Sequence, residues 1–361
     1  MSKDRWLAFA PPIASLLFAF VVSSVVLAIS GANPFVAFGN VFEYGVRLNT
    51  LVETINWATP LYLSGVAVAI GFRMNLFNIG VEGQYIIAAF IAAQVGSQLD
   101  LPGPIHVLLI ILTAMAVGAF WAGLSGWMKV SRNVHEVIST IMLNSIAVGG
   151  VVSFLLGVWD VPDDTSLDTA LAPIPESGWF PDLNFLVGGG TRSDLWGFVV
   201  VAIVVGVAYH YLINRTRLGY DLRASGANAS AAEASGVDPK RTIVMAMVLS
   251  GLVAGLVGLP ELLGDSHTYS LRFTQGLGFA GIAVALIGRN HAAGIAIGAL
   301  LFGWLSRASG ILEVRGDAPR EIVAIIQGVI ILSVVIAYSI AERYRRIEAA
   351  KATAAAIGEE R

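Results

Sequence analysis

The residues able to do chemistry in this sequence gather in three stretches, each set between apolar runs. The first is Gly71-Phe72-Arg73-Met74-Asn75-Leu76-Phe77-Asn78-Ile79-Gly80-Val81-Glu82-Gly83-Gln84. Carboxylate and amide side chains at membrane depth are costly, so they face a cavity or another helix. The glycines let helices approach closely or break. Two readings stand. Asn75, Asn78, Glu82 and Gln84, with Phe77 among them, form a gate or pathway element, or the stretch is a cytoplasmic turn in which Asn78 caps the next helix.

The second stretch runs from Asn214 to Arg241 and carries Gly219, Arg223, Asn228, Ala232, Glu233 and Gly236. Residues 229–234 form a helix of small side chains by propensity. Gly226 and Gly236 bracket it, and Asp238-Pro239 opens the next element. Such a helix lets another surface approach its backbone, which suits the docking of a partner protein. The alternative is a solvated loop that binds nothing. The third stretch, Gln275-Gly276-Leu277-Gly278-Phe279-Ala280-Gly281-Ile282-Ala283-Val284-Ala285-Leu286-Ile287-Gly288-Arg289-Asn290, is glycine-rich, short and apolar. It reads as close helix packing, either around a pathway that Gly278 and Phe279 would line or as packing alone. Gly251-x-x-x-Gly255 and Gly294-x-x-x-Gly298 are further small-residue pairs in the same half.

Other chemistries lack their signatures. No Gly-Lys pair occurs, so the chain has no nucleotide-binding P-loop of its own. His135-Glu136 has no second histidine four residues on from the first, and His106, His210, His267 and His291 are scattered, so no metal site is expected. No catalytic residue is expected either. Glu53 and Glu261 fall near the ends of apolar runs, where an interfacial placement accounts for them.

The elements that position these stretches are membrane helices. Of 361 residues, 56% are hydrophobic and 13% charged, against roughly 25% charged in soluble domains. A water-soluble fold cannot hide that much apolar surface. The net charge of −3 suggests no nucleic-acid partner, and the absence of cysteine rules out disulfides. A crossing takes about 20 apolar residues. Ten runs present themselves, at 7–29, 51–71, 79–98, 104–127, 137–158, 195–213, 242–263, 276–288, 292–310 and 321–341, the eighth short enough to be a half-helix or a broken one. With both ends inside, 16 Lys and Arg fall on the cytoplasmic side and 6 outside, as the positive-inside rule requires. The acidic, Pro- and Gly-rich loop 159–194 then lies outside, the loop 214–241 and the tail 342–361 inside. The expected fold is an all-α polytopic membrane protein of about ten helices in a single permease domain. A faint repeat runs through it: Leu63-Ser64-Gly65 leads to Gly80-x-x-Gly83, and Leu249-Ser250-Gly251 leads to Gly278-x-x-Gly281. The two copies would run in opposite directions, as inverted transporter repeats do; chance is the other explanation.

The stretch Phe77-Asn78-Ile79-Gly80-Val81-Glu82-Gly83-Gln84 resembles the hallmark of the ABC permease family that serves simple sugars, nucleosides and branched-chain amino acids. The segment Leu218-Gly219-Tyr220-Asp221-Leu222-Arg223-Ala224, with Gly226, Asn228, Ala231-Ala232 and Gly236-Val237, is similar to that family's cytoplasmic coupling loop. Residues 278–290 resemble its nucleoside and simple-sugar branch. The resemblance implies a permease that works in a pair, identical or paralogous, with separate ATPase subunits that carry ATP and Mg, and an extracytoplasmic binding protein that delivers substrate at the inner membrane. It places Gly219, Arg223, Asn228, Ala232, Glu233 and Gly236 at or near the ATPase contact, and Asn75, Phe77, Asn78, Glu82, Gln84, Gly278 and Phe279 near the translocation path. A nucleoside or simple sugar moved by alternating access is the expected cargo. A branched-chain amino acid permease and a stand-alone secondary transporter are the rivals.

Overall fold

The computed structural model describes residues 17–316 except 19, 30, 162–167 and 189–191, together with 324, 325, 328, 329, 333 and 336. The expected tail 342–361, most of the expected run 321–341 and the start of the first run lie outside the described residues. These divide into two compact units, one of Leu51–Trp304 and one that joins the segments before and after it.

The described chain is helical, with one isolated bridge between Ala170 and Ser270. The helices are α1 (Phe20–Ile29), α2 (Pro34–Gly45), α3 (Leu48–Arg73), α4 (Val81–Ser97) and α5 (Gly103–Arg132). There follow α6 (Glu136–Trp159), α7 (Val199–Arg215), α8 (Arg217–Ala227) and α9 (Ala229–Ala234). The series ends with α10 (Pro239–Ser266), α11 (Leu277–Ile287), α12 (Ala292–Ala308) and α13 (Gly310–Arg315). Among the described residues, five helices are long and apolar enough to cross a membrane, or up to seven if each bent pair is one span. The eighth run is a short helix, α11, as its length implied.

Local chemistry marks the ends. Asn33, Thr216, Asn228 and Asp238 each accept a hydrogen bond from a first-turn backbone amide of the helix they open, satisfying donors that have no partner inside the helix. Pro34 and Pro239 occupy first-turn positions where a missing N–H is harmless. Inside α6 the ladder loosens to a π-helix over Ile146–Val152, around Gly149 and Gly150. In α10 the regular ladder stops at Ala254, ahead of Gly255, Gly258 and Pro260, and resumes as a short turn and a π-helix over Leu262–Ser266.

The core of the larger unit is built on small residues. A Cβ on Gly118 of α5 would lie 2.3 Å from Gly251 O of α10, and one on Gly255 would lie 2.1 Å from Ala114 O. Ala114, Gly118, Ala122 and Gly126 thus form a four-residue-spaced track into which α10 settles with backbone touching backbone. In lipid, where apolar side chains gain nothing by meeting each other, this dispersion contact is what binds helices. The expected packing role of Gly251-x-x-x-Gly255 holds, and Gly294 is likewise pressed on Gly288, 2.4 Å from its carbonyl oxygen to the added Cβ. Gly251→Leu is expected to destabilise the protein by several times the ~1–3 kcal/mol typical of overpacking, because the obstacles include backbone. Thermal unfolding of the detergent-solubilised chain checks it, with Gly149→Ala, which meets nothing within 4 Å, as the neutral control.

Within the loop 159–194, residues 171–180 are stitched to the end of α10 and the segment that follows it. Leu171 N donates to Tyr269 O at 2.9 Å, Ile174 N to His267 O at 2.8 Å and Phe180 N to Leu263 O at 3.0 Å. The Trp179 ring stacks on His267 at 3.8 Å. Burial lowers the pKa of His267, and the nearby Asp265 opposes this only in part. In the smaller unit, Arg315 reaches Asn40 of α2 and Arg47 pairs with Glu43 at 2.8 Å; these are exposed contacts of little energetic weight.

Candidate functional site

The first and third polar stretches, nearly 200 residues apart in sequence, meet. Glu82 sits in the first turn of α4 with only 5% of its surface exposed. Its carboxylate accepts hydrogen bonds from Gly276 N at 2.6 Å, Gly278 N at 2.8 Å and Tyr85 Oη at 3.1 Å. The two glycine amides open α11, so an acidic group from one half of the chain closes the N-terminus of a short helix from the other. The geometry is possible because Gly278 has no side chain: a Cβ there would lie 2.4 Å from Glu82 N. Tyr85 Oη also reaches Thr274 O at 2.9 Å, tying the approach to α11 to the same point.

One turn away the amides form a second knot. Asn78 Nδ2 lies 3.1 Å from Gln84 Oε1 and 2.8 Å from Ser250 Oγ, and Gln84 Nε2 donates to Asn78 Oδ1 at 3.0 Å. Asn78 Oδ1 also accepts from Gly80 N at 3.0 Å. Asn78 therefore does serve its local backbone, as a cap would, and also joins α4 to α10. Every buried polar atom in this cluster has a partner, which is the condition for such a network to rigidify rather than destabilise.

The two halves exchange contacts reciprocally. Ser64, of the first Leu-Ser-Gly, donates to Leu277 O at 2.8 Å and abuts Gly281, whose Cβ would sit 1.9 Å from the Ser64 hydroxyl. Ser250, of the second Leu-Ser-Gly, donates to Ala67 O at 2.6 Å and meets Asn78. Each serine is thus placed on the glycine-rich stretch, or its approach, of the opposite copy, which gives the sequence repeat a structural counterpart.

Asn144 escaped the sequence reading. It stands in α6 just before the π-helix, donates to Ile79 O at 2.9 Å and accepts from Gly83 N at 2.9 Å. It clamps the non-helical approach to α4. A lone asparagine in an apolar run was the available signal, and π-helical turns cluster at functional positions. Ser64 and Ser250 were noticed only as repeat members. Of the expected pathway residues, Asn78, Glu82, Gln84 and Gly278 come together. Asn75 is exposed in a left-handed turn with φ of 57°, Phe77 packs its ring on Phe72 at 5.1 Å, and Phe279 faces outward from α11.

The second stretch folds as two short helices, where the sequence reading had one. A sharp corner sets α8 at 68° to α7. Gly219 makes the corner possible, since a Cβ there would meet Leu212 O at 2.2 Å. Asn228 caps α9, with Ala231 N donating to Asn228 Oδ1 at 3.0 Å. Ala232 is buried, while Glu233 and Gly236 are exposed and Gly236 ends α9 at φ of 83°. Arg223 Nη1 is buried with no hydrogen-bond partner. Gly226, treated only as a bracket, lies inside α8, where its added Cβ would be 2.7 Å from Arg73 O and 2.8 Å from Met74 Cα. The second stretch therefore bears directly on the start of the first. Arg73 itself donates to Asn290 O at 2.5 Å. No cluster of metal-ligating side chains exists among the described residues.

Residues 50–335 match the family described as the permease component of the branched-chain amino acid transport system. A guanosine ABC transporter permease protein of Bacillus subtilis is 35% identical, the match covering 91% of this chain and 93% of the relative. A glucose ABC transporter permease protein of Haloferax volcanii is 31% identical over 91% of this chain and 87% of its own. A nucleoside ABC transporter permease protein of Lactococcus lactis is 29% identical over 95% of both chains. Apolar helices, buried amide and carboxylate knots between two halves and a family match over most of the length lead to one conclusion: the chain is a multi-pass membrane protein and belongs to the ABC permease family of the branched-chain amino acid transport type.

Proposed function

We propose that this chain is the membrane-spanning permease of an ABC importer that carries a nucleoside or a simple sugar inward across the plasma membrane. Partner ATPase subunits bind ATP and Mg and dock on α8 and α9. A second permease completes the path, and an extracytoplasmic binding protein delivers the solute. The observation that carries the reading is the contact of Gly226 with Arg73 and Met74. It gives a push on α8 a mechanical route into the turn that precedes Asn78 and Glu82.

The chemistry follows from the knots. Closing of the ATPases on ATP moves α8 and α9. The turn at Arg73–Asn75 moves with them, and the Asn78–Gln84–Ser250 and Glu82–α11 contacts transmit the displacement to both halves, so that access switches from one side to the other. Relatives described as guanosine, glucose and nucleoside permeases support an uncharged polar solute as the cargo.

The test is uptake of radiolabelled guanosine, other nucleosides, glucose and leucine into vesicles that hold the chain with its ATPase and binding protein. ATP-dependent uptake of a nucleoside or a sugar is expected. Uptake of leucine alone would replace the cargo, and uptake that proceeds without ATP would overturn the importer reading.

A further inference from the structure

A cavity of about 460 Å³ lies between α3, α7 and α12, outside both knots. Its walls are Ile55 and Ala58 of α3, Ala202 and Ile203 of α7, and Ala296 and Ala299 of α12, and almost all of its surface is apolar. The hydroxyl of Thr59 is spent on Ile55 O at 2.8 Å. Tyr62 and His210 are the other polar side chains of the lining, too few for a nucleoside or sugar, most of whose hydroxyls would go unpaired at a cost set by their desolvation, so the cavity does not suit such a solute. Nor is it sealed. Ile203, Val207 and Leu300 on its rim are exposed, so it opens sideways to whatever surrounds the helices. Along α7 it reaches from Val199 to His210. At 1.5 Å per residue that is about 16 Å, close to half of the ~30 Å hydrocarbon core, the depth of one leaflet.

One end of the groove is polar and adjoins a basic turn. His210 lines it there, beside Ala292 and Ala293 at the start of α12. The turn Arg289-Asn290-His291 that leads into α12 is held against this end, because Tyr209 Oη donates to Asn290 O at 2.7 Å and Arg73 Nη2 to the same oxygen at 2.5 Å. Arg289 and His291 are exposed at this turn, and no carboxylate lines the cavity. In the same turn Asn290 Oδ1 is buried without a hydrogen-bond partner.

We propose that this groove binds one anionic phospholipid of the inner leaflet, an acyl chain between α3, α7 and α12 and a phosphate with its headgroup hydroxyls at the Arg73–Arg289–His291 end. Basic pockets between membrane helices on the cytoplasmic side hold such headgroups. The leaflet assignment rests on the orientation proposed above, in which α8 and α9 face the cytoplasm; the binding itself does not.

The experiment is native mass spectrometry of the purified chain after exchange into phosphatidylglycerol or phosphatidylcholine, with retained lipid read per chain. Phosphatidylglycerol is expected to resist delipidation and phosphatidylcholine to be lost. Ala296→Trp, which fills the groove, should abolish retention. Arg289→Gln, a change at an exposed residue, should weaken it about tenfold. Equal retention of both lipids, or phosphatidylglycerol kept by Arg289→Gln at the wild-type level, would overturn the proposal. So would occupation of the groove by a second copy. The chain has no cysteine, so Ile203→Cys supplies a single thiol. Its efficient self-cross-linking in membranes would show a protein there instead. Uptake plays no part in these readings, so failure of the lipid site and failure of the importer reading are told apart.

Discussion

Glu82→Ala is expected to reduce ATP-driven uptake by at least about tenfold while the protein still inserts. The carboxylate accepts from Gly276 N, Gly278 N and Tyr85 Oη, and alanine strands the two glycine amides, while Tyr85 Oη keeps Thr274 O as its acceptor. A buried donor left without its acceptor costs about 1–3 kcal/mol. The two backbone amides alone therefore loosen the start of α11 by roughly 2–6 kcal/mol. The loss falls on the placement of one short helix rather than on the whole core, since α5 and α10 pack independently of it through Gly118 and Gly251. Glu82→Gln should be intermediate, because one oxygen remains but an NH2 now faces amide donors. Uptake kinetics with size-exclusion profiles of the same preparations check this. A Glu82→Ala variant with wild-type uptake would remove Glu82 from the machinery.

Gly226→Val is expected to uncouple the chain from its ATPase. The new Cβ would meet Arg73 O at 2.7 Å and Met74 Cα at 2.8 Å. Both obstacles are backbone, so α8 must shift bodily. Uptake should fall at least about tenfold, which corresponds to about 1.4 kcal/mol, while nucleotide hydrolysis by the assembled complex persists. Gly236→Ala is the informative companion. That residue sits at φ of 83° with open space around it, so alanine there costs only about 1–2 kcal/mol of local backbone strain and should leave uptake nearly intact. The ratio of solute moved to ATP hydrolysed separates the two variants. If both behave alike, the contact of α8 with the Arg73 turn is not the route of coupling.

Much of this molecule was legible before any coordinates. Runs such as 104–127 and 137–158 became α5 and α6 because in lipid a helix is the only way a single segment can satisfy its own amides. The small-residue segment at 229–234 became α9 because its capping and propensity signals are local. The number of crossings stands as an expectation, since 321–341 lies mostly outside the described residues. Tertiary structure decided the rest. Sequence drew attention to Glu82 as a polar residue near glycines, yet nothing near it in the chain shows that its partners are the amides of Gly276 and Gly278. Asn144 and Gly226 acquire meaning only from what lies opposite them, a carbonyl in one case and a backbone turn in the other. The physical reason is common to all three. Helix formation in a membrane is satisfied within a segment and so is written locally. The pairing of a buried donor with its acceptor, or of a glycine with the backbone that fills its place, depends on which helices become neighbours.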